Sequence, residues 1–291
     1  MPESPLHAPL LSWYAAASRD LPWRAADRDP WGVLVSEVML QQTPVDRVVP
    51  AWTAWMERWP APADLAREAP GEAVRMWGRL GYPRRALRLH AAATACVERF
   101  EGRVPSTYDD LRSLPGVGDY TAAAVLAFAY GRRAVVLDTN VRRVLARLLD
   151  GAEHPRPSVT AAERTLADSV LPDDDPTAAA WSIALMELGA LVCTSASPRC
   201  EACPVAAECA WVAAGRPAYD GPARPVQRFT GTDRQVRGRL MAVLRDAPGP
   251  VTAAELDAVW DDAVQRARAL DSLVADGLVD PLDDGRFALP G

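Results

Sequence analysis

Residues 114–148 read LPGVGDYTAAAVLAFAYGRRAVVLDTNVRRVLARL and contain two helix starts. The first, Leu114-Pro115-Gly116-Val117-Gly118-Asp119-Tyr120-Thr121, is a turn with two glycines that opens into an apolar helix over 121–130. Glycine lets the backbone turn tightly and admits a close ligand. The N–H groups at a helix N-terminus then make a phosphate cradle. The second, Leu137-Asp138-Thr139-Asn140-Val141, sets a carboxylate just before a helix carrying Arg142, Arg143 and Arg147. Each feature alone has a plainer explanation. Such turns are common, Asp is an ordinary N-cap, and the arginines could be a solvated helix face. Their succession suggests chemistry on a nucleic acid.

With 291 residues and 49% apolar content, the chain can hold two compact domains or one large domain with an appendage. Its formal charge of −6 gives no global basic footprint, so a nucleic-acid site must be a local arginine patch. All 32 basic residues are arginine, and without lysine no side-chain amine can form a Schiff base. The first 14 residues show no signal peptide, and no apolar run approaches a membrane span. Five cysteines, four of them near Cys200, are expected for a metal site in a reducing compartment, which places the protein in the cytoplasm.

Before the central stretch, an amphipathic helix at 10–18 leads into the turn Leu21-Pro22-Trp23-Arg24. Glu37 then lies inside the apolar run Val33-Leu34-Val35-Ser36-Glu37-Val38-Met39-Leu40, followed by Gln41-Gln42-Thr43. Glutamate is seldom buried without a partner. If the flanking valines and Met39 pack inward, Glu37 at a cleft edge has a raised pKa; otherwise it points outward from a helix and the polar residues after it merely end that helix. Helices are expected over 46–59, 71–80 and 86–100, with Trp52, Trp55 and Trp59 as core, Cys96 as a buried small residue and His90 as structural. The loop Gly78-Arg79-Leu80-Gly81-Tyr82-Pro83-Arg84-Arg85 joins glycines, an aromatic and three arginines, which suits base stacking and phosphate pairing.

After the central stretch come helices over 158–169 and 176–191, then Cys193-x6-Cys200-x2-Cys203-x5-Cys209. Four thiolates in 17 residues describe one closed metal centre of structural character, and the spacing accepts zinc or a [4Fe–4S] cluster equally. A Pro/Gly/Arg-rich linker is expected over 217–232. Residues 233–291 then follow the order of a winged helix-turn-helix: helices over 234–245, 252–260 and 262–276, then strands at 278–280 and 286–289. Winged helices often bind DNA, but this tail has 7 Arg against 11 Asp and Glu, a net of −4 that argues against strong phosphate contact and gives docking or a protein partner at least equal standing.

LPWR at 21–24, SEVMLQQT at 36–43, LGY at 80–82, LPGVGDYTA at 114–122, and LDTNV at 137–141 with the four-cysteine loop together resemble the MutY family of adenine DNA glycosylases. This family lies within the helix-hairpin-helix, iron–sulfur superfamily that includes endonuclease III, and the resemblance covers about residues 8–220. It implies a mainly α fold of two lobes. The helical barrel lobe with the helix-hairpin-helix spans 27–135; the second lobe combines 1–26 with 136–216. It also implies a [4Fe–4S] cluster on Cys193, Cys200, Cys203 and Cys209.

The implied activity is removal of adenine paired with 8-oxoguanine or guanine in double-stranded DNA, by a monomer, to begin base-excision repair. The adenine must be flipped out of the duplex. Glu37 would protonate it at N7, and Asp138 would stabilise the oxocarbenium-like sugar or orient water. By the same resemblance, Tyr120 and Asn140 line the site and Arg24 lies near the flipped base. Gln42, Thr43, Leu80 and Tyr82 probe the opposite base, with Tyr82 as a wedge, and Gly116 and Gly118 belong to the DNA-binding hairpin. Where the endonuclease III branch has a lysine this chain has Tyr120, so a lysine-dependent lyase step is excluded.

Two departures stand out. Pro83 replaces a second aromatic, and the 59-residue tail is too short for the family's usual domain that recognises 8-oxoguanine. The competing readings are a thymine mismatch glycosylase and a non-catalytic iron–sulfur DNA-binding regulator. The intact SEVMLQQT opposes the first, and retention of both Glu37 and Asp138 opposes the second.

Overall fold

The computed structural model describes residues 4–221 and 229–291; part of the linker expected over 217–232 falls on 222–228, outside the described residues. In chain order the helices are α1 (His7–Ala17), α2 (Pro30–Leu40), α3 (Val45–Arg58), α4 (Pro62–Ala66), α5 (Pro70–Trp77), α6 (Arg84–Arg99), α7 (Tyr108–Arg112) and α8 (Asp119–Tyr130). Next are α9 (Thr139–Leu148), α10 (Ala161–Ser169), α11 (Asp175–Leu191), α12 (Ala210–Ala213), α13 (Asp233–Asp246), α14 (Ala253–Asp257) and α15 (Ala263–Ala275), before strands β1 (Asp280–Pro281) and β2 (Phe287–Ala288). The short helices α4 and α7 carry too few residues for a periodic signal and are absent from the sequence reading. Among the described residues no helix is long and apolar enough to cross a membrane.

The chain divides into two compact units: residues 1–33, 106–109 and 118–223, and residues 34–105, 110–117 and 224–291. In the first, α11 is the central element and packs on α1, α8 and α9. Its sequence is apolar on nearly every face, which is what a helix surrounded by others requires. Trp181, Ala184, Leu185 and Leu188 meet Leu10, Val141, Val144, Leu145 and Leu148 in its core. A second cluster joins Val33, Ala123, Ala124, Ala127, Phe128, Val136 and Ala179, whose alanines let α8 and α11 approach closely. Caps set the helix starts: Asp174 accepts from Thr177 N at 3.0 Å and Thr160 from Glu163 N at 3.2 Å.

In the second unit α6 packs against α4 and α5, and α3 packs on α5. Trp55 and Trp59 meet edge to face at 4.7 Å, Trp55 and Trp77 at 5.8 Å, and all three are buried. Each contributes about 2–3 kcal/mol through burial alone. Residues 229–291 belong to this unit. Helix α13 packs on α14 and α15, and β1 pairs antiparallel with β2 in the register Asp280↔Ala288 and Pro281↔Phe287. Val251 and Phe287 exchange both backbone hydrogen bonds at 2.8 Å, attaching the hairpin to the segment before α14.

Helix α5 receives this tail. Gly71 N–H donates to the Pro290 carbonyl at 2.7 Å, and Arg75 donates to the Ala247 carbonyl at 2.8 Å. A Cβ on Gly71 would stand 2.5 Å from that Pro290 oxygen, so only glycine permits this approach.

Candidate active site

Asp138 in the first unit is the N-cap of α9. Its Oδ1 accepts from Val141 N at 2.6 Å and its Oδ2 accepts from Asn140 Nδ2 at 3.0 Å. Burial pushes its pKa up, while the Val141 and Asn140 hydrogen bonds and the nearby Arg143 guanidinium act in the other direction. The capping role and the chemical role are therefore compatible: the cap fixes the carboxylate's orientation. Asn140 is fixed in turn, because its Oδ1 accepts from Arg143 Nη2 at 2.8 Å. Gly189 on α11 leaves the room Asn140 needs, since a Cβ there would lie 2.7 Å from the Asn140 Cβ. Tyr120 packs at the edge of the alanine-rich cluster.

The arginines of α9 are not a solvated face. Arg142 pairs with Glu163 at 2.6 Å. Arg143 and Arg147 are buried; Arg143 donates to the Gly189 and Cys193 carbonyls at 2.7 and 2.8 Å, and Arg147 to the Thr194 carbonyl at 2.8 Å. These acceptors tie the helix behind Asp138 to the cysteine loop, so the three side chains hold protein rather than phosphate.

Arg24 also has a partner that sequence reasoning missed. Its Nη2 donates to Glu187 Oε2 at 2.9 Å, and Arg19 grips the same carboxylate through Nε at 2.7 Å and Nη2 at 2.8 Å. Glu187 is fully buried in α11. Burial alone would raise its pKa, but hydrogen bonds from Arg19 and Arg24 bring it down to about 2. Among the described residues, Arg24 Nη1 is buried without a hydrogen-bond partner, a costly state that an acceptor on a ligand would relieve. The available signal was a lone glutamate in the apolar run Ala184-Leu185-Met186-Glu187-Leu188, the same signal that marks Glu37.

Glu37, in the second unit, is 4% exposed, which removes the outward-pointing alternative. Residues 31–39 of α2 are all buried, so Glu37 lies within a largely apolar, water-excluded stretch of helix. Gln42 and Tyr82 are exposed, whereas Thr43 and Leu80 are buried beneath them. Both exposed residues have left-handed backbone, with φ of 58° at Gln42 and 48° at Tyr82. Non-glycine residues rarely adopt it, and such strain persists only where surrounding structure imposes it.

Arg85 imposes it here. Its Nη1 donates to the Val38, Met39 and Gln41 carbonyls at 2.8, 3.0 and 2.6 Å. Its Nη2 donates to Thr43 Oγ1 at 3.1 Å and to the Gly81 carbonyl at 3.0 Å. Burial lowers the Arg85 pKa to about 10. Of the three arginines expected to serve phosphate, Arg85 thus binds two turns together, Arg84 pairs with Asp276 at 3.1 Å, and Arg79 is exposed.

The hairpin glycines differ in purpose. Gly116 has φ of +80°, and a Cβ there would meet the Arg88 Cβ at 2.7 Å. Gly118 is the N-cap of α8 with φ of −97°, and a Cβ there would meet nothing within 4 Å. The first is required by the fold; the second leaves space outside it.

Around the cysteine loop, Cys193 Sγ accepts from Arg147 Nη1 at 3.4 Å, and Cys209 Sγ donates to the Arg147 carbonyl at 3.4 Å. Burial pushes the Cys203 thiol up to about 11, opposed by a backbone bond at Val205 and reinforced by Cys193, Cys209 and Cys200. All four sulfurs therefore share one electrostatic neighbourhood, flanked by a guanidinium. Among the described residues, no three His, Cys, Asp or Glu side chains are grouped to hold a single metal ion. Four neighbouring thiols beside a buried cation fit an anionic iron–sulfur cluster, which metal-induced deprotonation would complete. Cys96 is buried apart from them.

Three comparisons bear on this arrangement. A model of the HhH-GPD superfamily of base excision DNA repair proteins matches residues 35–169. An adenine DNA glycosylase of Mycolicibacterium smegmatis is 54% identical over 283 residues, covering 97% of this chain and 95% of its own length. The adenine DNA glycosylase of Homo sapiens is 41% identical over 213 residues, 69% of this chain and 38% of its own. Among solved structures, a thermostable thymine-DNA glycosylase superposes with a TM-score of 0.64 at 26% identity, covering 71% of this chain and 94% of its own. With the identity to the mycobacterial enzyme running nearly end to end, this chain belongs to the MutY-type adenine DNA glycosylase family of the HhH-GPD superfamily of base excision DNA repair proteins.

Proposed function

We propose that the protein is a monofunctional DNA glycosylase that hydrolyses the N-glycosidic bond of adenine opposite 8-oxoguanine or guanine, acting as a monomer in the cytoplasm at the start of base-excision repair. The burial of Glu37 in an apolar helix carries this reading. A carboxylic acid sheltered from water keeps its proton more readily, and adenine departs only once its ring is protonated. Asp138, oriented by Val141 N and Asn140, is the carboxylate that stabilises the cationic sugar or aligns water. Tyr120 and Asn140 support it, and Arg24, with its unsatisfied Nη1, takes the flipped base. Gln42 and Tyr82, underpinned by Thr43 and Leu80, face the opposite base, and the turn holding Gly116 and Gly118 takes a DNA phosphate.

Cys193, Cys200, Cys203 and Cys209 would hold a [4Fe–4S] cluster, which supplies a rigid cross-link for the loop behind α9. Arg143 and Arg147 connect that loop to the helix Asp138 caps. The lobes are proposed as 27–135, and 1–26 with 136–216, joined through the linker to the winged-helix-like tail. The M. smegmatis enzyme matches 97% of this chain, so the match takes in this short tail.

The test is a single-turnover assay on labelled duplexes containing A opposite 8-oxoguanine, A opposite G, or T opposite G, each with and without alkali. Alkali-dependent cleavage at adenine alone supports the proposal. Thymine removal would favour the thymine glycosylase reading, and no removal of either base would favour the non-catalytic regulator.

A further inference from the structure

Tyr82 and Phe229 are both large aromatics left exposed, at 43% and 52%. They lie far apart in the sequence, one in the turn before α6 and one at the start of the tail, yet both face the same guanidinium. Arg234, on the first turn of α13, sits with Cζ 5.3 Å from the Tyr82 ring centroid and 5.6 Å from that of Phe229. From within the fold, Arg85 approaches the Tyr82 ring at 5.8 Å. The outcome is a solvent-facing group of two aromatics and an arginine, with a strained Tyr82 backbone at its base.

The rest of the tail explains why its net charge conceals this. Arg237 pairs with Asp276, Arg266 with Asp257, Arg268 with Asp233 and Arg286 with Asp284, while Arg239 lies over Trp260. Helix α15, the second long helix of the tail, thus has both of its arginines in ion pairs and offers no cationic face for a duplex. Arg245, on α13 with Arg234, lies near Arg79 of the turn that carries Tyr82, and Arg234 lies over the Tyr82 ring itself. The contacts of Gly71 with Pro290 and Arg84 with Asp276 hold it there.

Exposed aromatics interleaved with arginine stack on unpaired bases, because every base offers a π-face and the guanidinium adds cation–π attraction. A duplex whose adenine has been flipped out contains one such base: the purine left without its partner. We propose that Arg234 and Phe229 extend the DNA interface from the tail, forming with Tyr82 a stacking clamp on the purine opposite the extruded adenine. This inference rests on the proposed base-flipping activity and assigns the tail a part in recognising the strand that is not cut.

The experiment measures equilibrium binding of the full-length protein to two duplexes of one sequence. One carries a non-hydrolysable 2′-fluoro-deoxyadenosine opposite 8-oxoguanine, and the other is fully Watson–Crick paired. Arg234→Ala and Phe229→Ala should each weaken binding to the mispaired duplex by about tenfold and leave the paired duplex within about twofold. Arg234→Ala combined with Tyr82→Ala should lose less than the product of the single losses, as neighbours in one cluster do. Equal weakening on both duplexes, or no weakening on the mispaired one, would overturn the clamp. Gly71→Ala, which loosens the tail's seat without touching the cluster, should reproduce the selective loss. If the unsubstituted protein itself shows no preference for the mispaired duplex, the base-flipping reading fails together with the clamp, whereas a preference that survives all the substitutions removes the clamp alone.

Discussion

Replacing Glu187 by Gln keeps the shape of the side chain and removes its charge, leaving Arg19 and Arg24 without their shared anion. The carboxyl's pKa falls from an ordinary 4.5 to about 2 in the folded protein. A depressed acid pKa means the folded state holds the ionised form more tightly than the unfolded chain does. Its contribution is complete above pH 4.5 and disappears as pH falls through 2. The difference of about 2.5 pKa units corresponds to about 3 kcal/mol at pH 7, since each unit is about 1.4 kcal/mol. Glu187 is fully buried, so solvent screening reduces this little.

Urea titrations of both proteins at pH 7, 5, 4 and 3 isolate the term, because other titrating groups cancel in the difference. The stability gap should be about 3 kcal/mol at pH 7 and 5, shrinking by about half or more at pH 3. A gap that is the same at every pH would refute the reasoning, because it would show lost packing or hydrogen bonding rather than lost charge. The substitution should also slow adenine excision, since it frees the guanidinium of Arg24 from its anchor.

Glu37→Gln should lower the single-turnover excision rate by about 10²–10⁴ while the mispaired duplex is still bound, measured by gel shift and product release together. Arg85→Met leaves at least four backbone carbonyls without their donor and should cost about 3–5 kcal/mol, with Arg85→Lys as the milder variant if the first does not fold; thermal melts report both. Gly116→Ala should destabilise by about 1–2 kcal/mol or more through its left-handed backbone and the Arg88 contact, whereas Gly118→Ala should leave the melting temperature unchanged and weaken DNA binding. Cys203→Ser should abolish the visible absorbance and iron content of the purified protein and lower its melting temperature, whereas Cys96→Ser should keep the iron.

Much of this molecule is legible from local sequence. Helices α8 and α9 follow from their turn and cap, because backbone conformation and hydrogen-bond completion at a helix start are decided within four or five residues. The burial of Glu37 is foreshadowed by its apolar neighbours, and the family by motifs whose spacing survives along the chain. The arginines are where local reading stops. Arg84, Arg85, Arg142, Arg143 and Arg147 all look like phosphate ligands in sequence, yet they bind Asp276, the turns that hold Gln41, Thr43 and Gly81, Glu163, or carbonyls up to 50 positions away. A guanidinium is satisfied by whatever acceptors the folded chain brings to it, and sequence does not encode which side chains arrive. Glu187 lay in plain view but became meaningful only once Arg19 and Arg24 were found on it, 168 and 163 positions away. The same holds for the tail: its charge is a property of sequence, whereas the placement of Arg234 over Tyr82 is decided by packing of α13 on α5. Short-range chemistry determines elements and candidate groups; which of those groups remain available for a ligand is settled only by long-range contacts, because each buried charge must find its partner in three dimensions.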